Sequence, residues 1–321
     1  MSNVSSVSPA RTKISADRVQ PTLLADQSTA LLQELHLLTK GGDLNADALR
    51  KLKQINHLCG FLQPFLEPLF QVQADPGQPT ESEEQSDLPP PPAHDPVIVD
   101  AGAGNAYLGF ILYELWLKNK DIGHVYSVEV RQDLVARSRQ RAAALGYARM
   151  QFVDQPVAQL AVDAESRQLH LPTGEKLSVD MVVALHACDT ATDDALALAI
   201  TAHAPVIAVV PCCQAELSRQ LTGRDLDKLP AAALWRHPIQ RREFAAHLTN
   251  VMRALVLEAH GYQVTVTELT GWQHSLKNEL ILAHKVQRRN GAAIAQLNGL
   301  LALLPPLQQT LLQRVGLPAA G

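Results

Sequence analysis

The chain has 321 residues, 46% of them hydrophobic and 19% charged, with a formal net charge of -4. That composition excludes a chain dominated by disorder, and the length allows one large domain with attachments or two small ones. Four cysteines, Cys59, Cys188, Cys212 and Cys213, are too few and too unevenly spaced for a disulfide framework, which points to a reducing compartment.

The Ser-rich start, Met1 to Ala16, has no apolar run of the signal-peptide kind, so a cytoplasmic protein is expected. Residues 1–27 read as a leader. In 28–73, Leu31, Leu32, Leu35, Leu38, Leu49, Leu52 and Ile55 recur at helical spacing and predict a small helical module. Residues 74–96 carry Asp75, Glu81, Glu83, Glu84, Asp87 and Asp95, no Lys or Arg, and the run Pro89 to Pro92, the pattern of an extended acidic linker. These six acids outnumber the net charge of the whole chain, so its mild acidity is no argument against a nucleic-acid partner.

From Pro96 onward short apolar runs alternate with helical patterns, the rhythm of a βαβ sheet with helices on both faces, and 97–288 reads as one α/β domain. Strands are predicted at 97–99, 124–130, 150–157, 179–185, 205–210, 262–269 and 279–286, and helices at 107–117, 132–145, 192–203 and 248–260. The uncharged stretch Ala195 to Ala215 nearly reaches membrane-spanning length, but His203 and Pro205 interrupt it, and a small-residue helix followed by a buried strand accounts for it, so no membrane association is expected. The tail, 289–321, is Leu- and Gln-rich, with two short helices predicted on either side of Pro305 and Pro306.

The run Asp100-Ala101-Gly102-Ala103-Gly104-Asn105-Ala106-Tyr107 follows a strand and opens a helix, so its glycines let a ligand approach the backbone at the sheet edge. Tyr107 stands where the dinucleotide fingerprint has its third glycine, and Asp100 would repel a diphosphate. A ligand bearing an ammonium and a sulfonium suits that carboxylate, which points to S-adenosylmethionine. Glu129, at the end of the second strand, is positioned to accept hydrogen bonds from ribose hydroxyls, and Asp154, at the end of the third, to meet the adenine amine or simply to form a turn. Gly102, Gly104, Asn105, Asp100, Glu129 and Asp154 are thus the candidate cofactor-binding residues.

These features resemble the class I S-adenosylmethionine-dependent methyltransferases over about Pro96 to Val286, which implies a Rossmann-like α/β sheet. More narrowly, Leu185-His186-Ala187-Cys188-Asp189-Thr190-Ala191-Thr192-Asp193 and Pro211-Cys212-Cys213-Gln214 resemble the branch that includes the tRNA acceptor-stem 2'-O-methyltransferase and related methyltransferase-like proteins. Asp189 replaces that branch's usual Gly, Leu185 stands where a Lys is common, and the tRNA enzyme's zinc-finger segments are absent. The resemblance implies RNA as acceptor.

Methyl transfer is an in-line displacement, and its protein groups come from loops after the fourth and fifth strands. His186 is either a general base or a wall of the cofactor pocket, and Asp189 could orient it or contact the acceptor. Lys277, in the pair Lys277-Asn278, matches a Lys-Asn pair that faces the cleft in the resembling branch. His186, Cys188, Cys212 and Cys213 have the ligand types of a zinc site, but vicinal cysteines rarely ligate one tetrahedral ion and small buried thiols also pack well at crowded strand ends, so no metal is expected. Ala215 to Asn250 is a candidate lid, and Arg236, His237, Arg241, Arg242 and Arg253 are candidate phosphate contacts or ordinary surface cations. A small-molecule or protein methyltransferase and a non-catalytic cofactor-binding scaffold are the competing functions.

Overall fold

The structure is a computed structural model that describes residues 24, 27–43, 46–70, 94–185, 187–222, 229–269 and 279–317. Two helices come first, α1 (Thr29–Glu34) and α2 (Ala46–Leu69), then β1 (Val97–Ala101) and α3 (Tyr107–Leu112), which continues as a π-helical turn over Tyr113–Leu117. There follow β2 (His124–Glu129), α4 (Gln132–Leu145), β3 (Met150–Asp154) and three two-residue strands, β4 (Ala161–Val162), β5 (Leu169–His170) and β6 (Lys176–Leu177). The chain continues through β7 (Met181–Leu185), α5 (Thr190–Thr201), β8 (Val206–Val210), α6 (Glu216–Gln220), α7 (Pro238–Ala259), β9 (Tyr262–Glu268) and β10 (Glu279–Lys285), and ends with α8 (Gly291–Ala302) and α9 (Thr310–Arg314).

The main sheet has seven strands in the order β3-β2-β1-β7-β8-β10-β9, with β10 antiparallel to both neighbours and the other pairings parallel. Every residue of β1 and β8 is buried, as expected of strands covered on both faces. The period-2 alternation divides the core: Val97, Val99, Val182, Ala184, Ile207 and Val209 face α5, α7 and the tail, whereas Ile98, Met181, Val183, Val206 and Ala208 face α1 to α3. The predicted doubly wound α/β sheet is what forms.

Four differences from the sequence reading have physical causes. Helix α7 begins at Pro238, ten residues before the predicted 248, because proline at the first helical position needs no hydrogen-bonded N–H, and buried Ala245, Leu248 and Met252 continue one face. Strand β3 stops at Asp154, before Pro156, which cannot donate to a ladder. The small antiparallel sheet of β4, β5 and β6 was not predicted, since strands of two residues show no periodicity.

The helical segment, finally, does not stand apart: Leu31, Leu52, Leu62 and Phe70 lie in the same core as Ile98 and Phe110. Buried Glu114 joins the two parts, accepting from Ser28 N at 3.0 Å, from the Ser28 hydroxyl and from Tyr147 OH at 3.0 Å. The tail breaks as expected, with Pro305 and Pro306 between α8 and α9. The leader, apart from Leu24 and Gln27, and 74–93 of the linker lie outside the described residues. No helix among the described residues is long and apolar enough to cross a membrane.

Gly109, which sequence reading passed over, supplies the close helix-to-sheet approach that a third fingerprint glycine would give. A Cβ there would sit 2.9 Å from Ser127 Oγ and 3.0 Å from Asp100 Oδ2. Gly109→Ala is therefore expected to destabilise the protein by about 1–3 kcal/mol through overpacking, despite alanine's better helix propensity. Chemical denaturation of the two proteins checks this, and an unchanged or raised midpoint would refute it.

Candidate active site

The strand order reverses between β1 and β7, and the crevice of an open α/β sheet lies outside the carboxyl ends of the strands at such a point. The loop after β1 turns there through left-handed backbone at Gly102 (φ 69°), Gly104 (φ 59°) and Ala106 (φ 55°), held by Ala103 N donating to Val128 O at 2.9 Å. A Cβ on Gly102 would meet Ala187 Cβ at 3.6 Å, and one on Gly104 Arg131 Nη2 at 3.6 Å, ordinary contacts, so it is the left-handed backbone that reserves both positions for glycine. Asn105 lies within this loop, half-buried.

Glu129 is fixed against that loop. Its Oε2 accepts from Gly104 N at 2.7 Å, and its Oε1 accepts from Arg131 N and Nε, both at 3.0 Å. Burial alone would raise this carboxyl, but the hydrogen bonds from Arg131 and Gly104 outweigh it and hold it below the usual range. A carboxylate has about four lone-pair sites, and these bonds use three of them. Asp154 is the register partner of Glu129 on the neighbouring strand and is exposed.

Asp100 takes a different place from the one expected of it. Its side chain is 1% exposed and accepts from Gly109 N at 3.2 Å, so it lies in the seam between β1 and α3 beneath the loop. Burial pushes its carboxyl up to about 7, against the Gly109 hydrogen bond, with the charge of Glu129 adding to the rise. Asp100 therefore ties β1 to α3, the two elements that the glycine loop connects.

Asp189 also moves from the expected chemistry to another task. It precedes α5 with φ 50° and ψ -120°, and its Oδ1 accepts from Ala215 N at 2.8 Å and Glu216 N at 3.0 Å, while Oδ2 accepts from Arg219 Nη2 at 2.9 Å. Burial would raise it, but the bonds from Arg219 and the two backbone N–H groups hold it below the ordinary carboxylate range. Both oxygens thus take part in tying the loop after β7 to the start of α6, which makes this carboxylate a loop-positioning group.

Arg253 leaves the basic set for the same kind of reason. Its side chain is 1% exposed, grips Asp193 through Nε at 2.9 Å and Nη2 at 2.8 Å, and reaches Asn250 Oδ1 and the carbonyl of Asp189. It is a buried pin between α7 and α5. Arg236 and Arg242 are exposed at the start of α7, Arg242 beside Glu243, and Arg241 is partly buried there. His186 and Lys277 lie outside the described residues.

Cys188, Cys212 and Cys213 come together at the ends of β7 and β8. Cys188 Sγ is 3.0 Å from Cys212 Sγ, Cys212 Sγ is 3.8 Å from Cys213 Sγ, and no disulfide forms among them. Burial pushes the Cys212 thiol up, and the two neighbouring sulfurs push it further.

A Rossmann-like sheet with an antiparallel β10, a glycine loop after β1 and a carboxylate closing on it from β2 defines a class I methyltransferase. A family model described as a methyltransferase domain matches residues 50–220, more than half of the chain, and the protein belongs to that family. No curated protein matches the sequence.

Among solved structures, the magnesium protoporphyrin IX methyltransferase of Synechocystis PCC 6803 with bound SAH is similar at 12% identity and a TM-score of 0.40, over 84% of this chain and 93% of that one. An rRNA methylase from Streptococcus thermophilus aligns at 14% identity and a TM-score of 0.38, over 60% of this chain and 88% of that one. A SAM dependent methyltransferase from Aquifex aeolicus aligns at 16% identity and a TM-score of 0.36, over 60% of this chain and 84% of that one.

Proposed function

We propose that the protein is an S-adenosylmethionine-dependent methyltransferase that acts on RNA in the cytoplasm. The observation that carries the cofactor assignment is the Glu129 carboxylate bonded to Gly104 N at 2.7 Å, in a loop that turns through left-handed glycines. Gly102, Gly104 and Asn105 would hold the cofactor along the loop, Glu129 would accept from its ribose through the remaining lone pair, and Asp154 would stand at the adenine edge. When bound, the cofactor supplies an electrophilic methyl group.

The chain's own part is to hold the acceptor in line and to take its proton, for which His186 is the base and Lys277 an acceptor contact in this reading. For RNA, support comes from the His186 to Asp193 and Pro211 to Gln214 motifs and from the cations Arg131, Arg219, Arg236, Arg241 and Arg242 on or near the crevice loops and the start of α7. Of these, Arg242 could take a phosphate by exchanging its surface pair with Glu243, which is worth little.

Titration calorimetry with S-adenosylmethionine tests the cofactor. Binding by the wild type, a loss of tenfold or more for Glu129→Ala and no binding by Gly104→Trp are expected; equal affinities would overturn the assignment. Transfer of labelled methyl groups to total RNA, protein and metabolite fractions tests the acceptor. Label in RNA is expected, with Arg241→Ala and Arg242→Ala each flattening the salt dependence of RNA binding by about one unit of log-log slope. Label confined to protein or metabolites would overturn the RNA reading while leaving the cofactor site standing.

A further inference from the structure

We propose that Cys188, Cys212 and Cys213 form a zinc site, a set of three thiolates at the carboxyl ends of β7 and β8. The three ligand atoms lie within 4.8 Å of one another. Two thiolates on a tetrahedral zinc ion with bonds near 2.3 Å stand about 3.8 Å apart. Cys212 and Cys213, although adjacent in sequence, already have their sulfurs 3.8 Å apart. Cys188 is closer to Cys212, at 3.0 Å, and is the exposed member of the three, so opening this gap by under about 1 Å asks only for a side-chain adjustment.

The backbone that carries these thiols is held from several directions. Asp189 N donates to Cys213 O at 2.9 Å, and the Asp189 carboxylate binds Ala215 N and Glu216 N just beyond the vicinal pair. On the other side of Cys188, Thr192 Oγ1 donates to Ala187 O at 2.7 Å. Two loops from adjacent parallel strands are thereby locked in register with their sulfurs converging, which is the preorganisation a metal site needs.

Electrostatics are compatible with the ion. Three thiolates and Zn²⁺ sum to one negative charge, and the Arg131 guanidinium lies near enough to Cys188 for their charges to interact. A zinc ion deprotonates its thiol ligands outright, so protonated thiols in the metal-free protein are no obstacle. Soft sulfur ligands in a tetrahedral set select Zn²⁺ over Mg²⁺ or Ca²⁺. The site rests on the cysteine geometry alone and does not depend on the cofactor or acceptor assignments above.

The test uses the full-length protein purified with a phosphine reductant, its metal content measured, and the metal-free form titrated with Co²⁺ as a spectroscopic probe and then with Zn²⁺. One zinc per chain is expected, together with a thiolate-to-cobalt charge-transfer band and tetrahedral visible bands that zinc abolishes. Cys188→Ser, Cys212→Ser and Cys213→Ser should each weaken binding tenfold or more, and Cys59→Ser, far off in the helical core, should leave it unchanged. Circular dichroism of each variant separates loss of the site from loss of the fold. Absence of a thiolate-cobalt band in the folded wild type, a band that survives all three crevice substitutions, or mass spectrometry showing a Cys188–Cys212 disulfide retained under reductant would each overturn the proposal.

Discussion

Replacing Arg253 with alanine is expected to cost about 3–5 kcal/mol of stability, enough to unfold a large fraction of a marginally stable domain. The guanidinium grips Asp193 through two nitrogens, and both side chains are 1% exposed. Removing it leaves the Asp193 carboxylate inside the protein with Gln309 Nε2, at 2.8 Å, as its remaining partner among these groups. The loss spreads because Arg253 also holds Asn250 Oδ1 at 3.0 Å and the Asp189 carbonyl at 2.9 Å, so α7, α5, the tail and the loop bearing Cys188 all share the pin. Replacing both partners tests the mechanism: Arg253→Met with Asp193→Leu should recover much of the stability that Arg253→Met loses alone. Urea denaturation of the two single variants and the double variant measures the coupling, and strictly additive losses would refute it.

That pin illustrates why the fold was legible in the sequence while parts of the site were not. Strand and helix positions follow from local periodicity, and the acidic residue, glycine loop and second-strand carboxylate lie on consecutive elements whose spacing is set by one βαβ unit. What Asp189 and Arg253 do depends on partners 26 and 64 positions away, Ala215 for the first and Asp189 itself for the second, and no local pattern reports such pairings. Read by residue type alone, a carboxylate after a crevice strand looks like chemistry and an arginine after a basic cluster looks like a phosphate contact. Hydrogen-bond partners distinguish the first case and burial the second. The cysteines show the same limit: residue order reports that Cys212 and Cys213 are adjacent, but not that their sulfurs stand 3.8 Å apart with Cys188 beside them. Gly109 left a faint signal, a glycine nine residues past Asp100 inside a helical pattern where glycine carries an entropic cost.

Asp100 yields the second large effect, a pH dependence of stability opposite in sign to that of most carboxylates. Its carboxyl is pushed from an ordinary 3.8 to about 7 in the folded protein, first by burial, with Glu129 adding and the Gly109 N–H opposing. Between those values the folded state holds a proton that the unfolded state has released, so the unfolded state binds fewer protons and stability falls as pH rises. The contribution is fully present below about pH 4 and is lost progressively up to about pH 7, beyond which it changes no further.

At about 1.4 kcal/mol per unit, the window spans roughly 4 kcal/mol. Asp100→Asn keeps the shape and an oxygen for Gly109 N but cannot ionise, so its stability should lack this downward slope and exceed that of the wild type at neutral pH. Thermal denaturation of both proteins from pH 4 to pH 8 makes the comparison, and parallel curves would show that Asp100 is ionised in the native state throughout. Because Asp100 stands two residues before Gly102 and its charge interacts with Glu129, which bonds Gly104, its protonation also changes the charge beside the glycine loop. The same substitution, measured as cofactor affinity against pH, therefore links the buried seam to the proposed site: wild-type affinity for a cationic ligand should rise through pH 7 as Asp100 ionises, and the Asn variant should show no such rise.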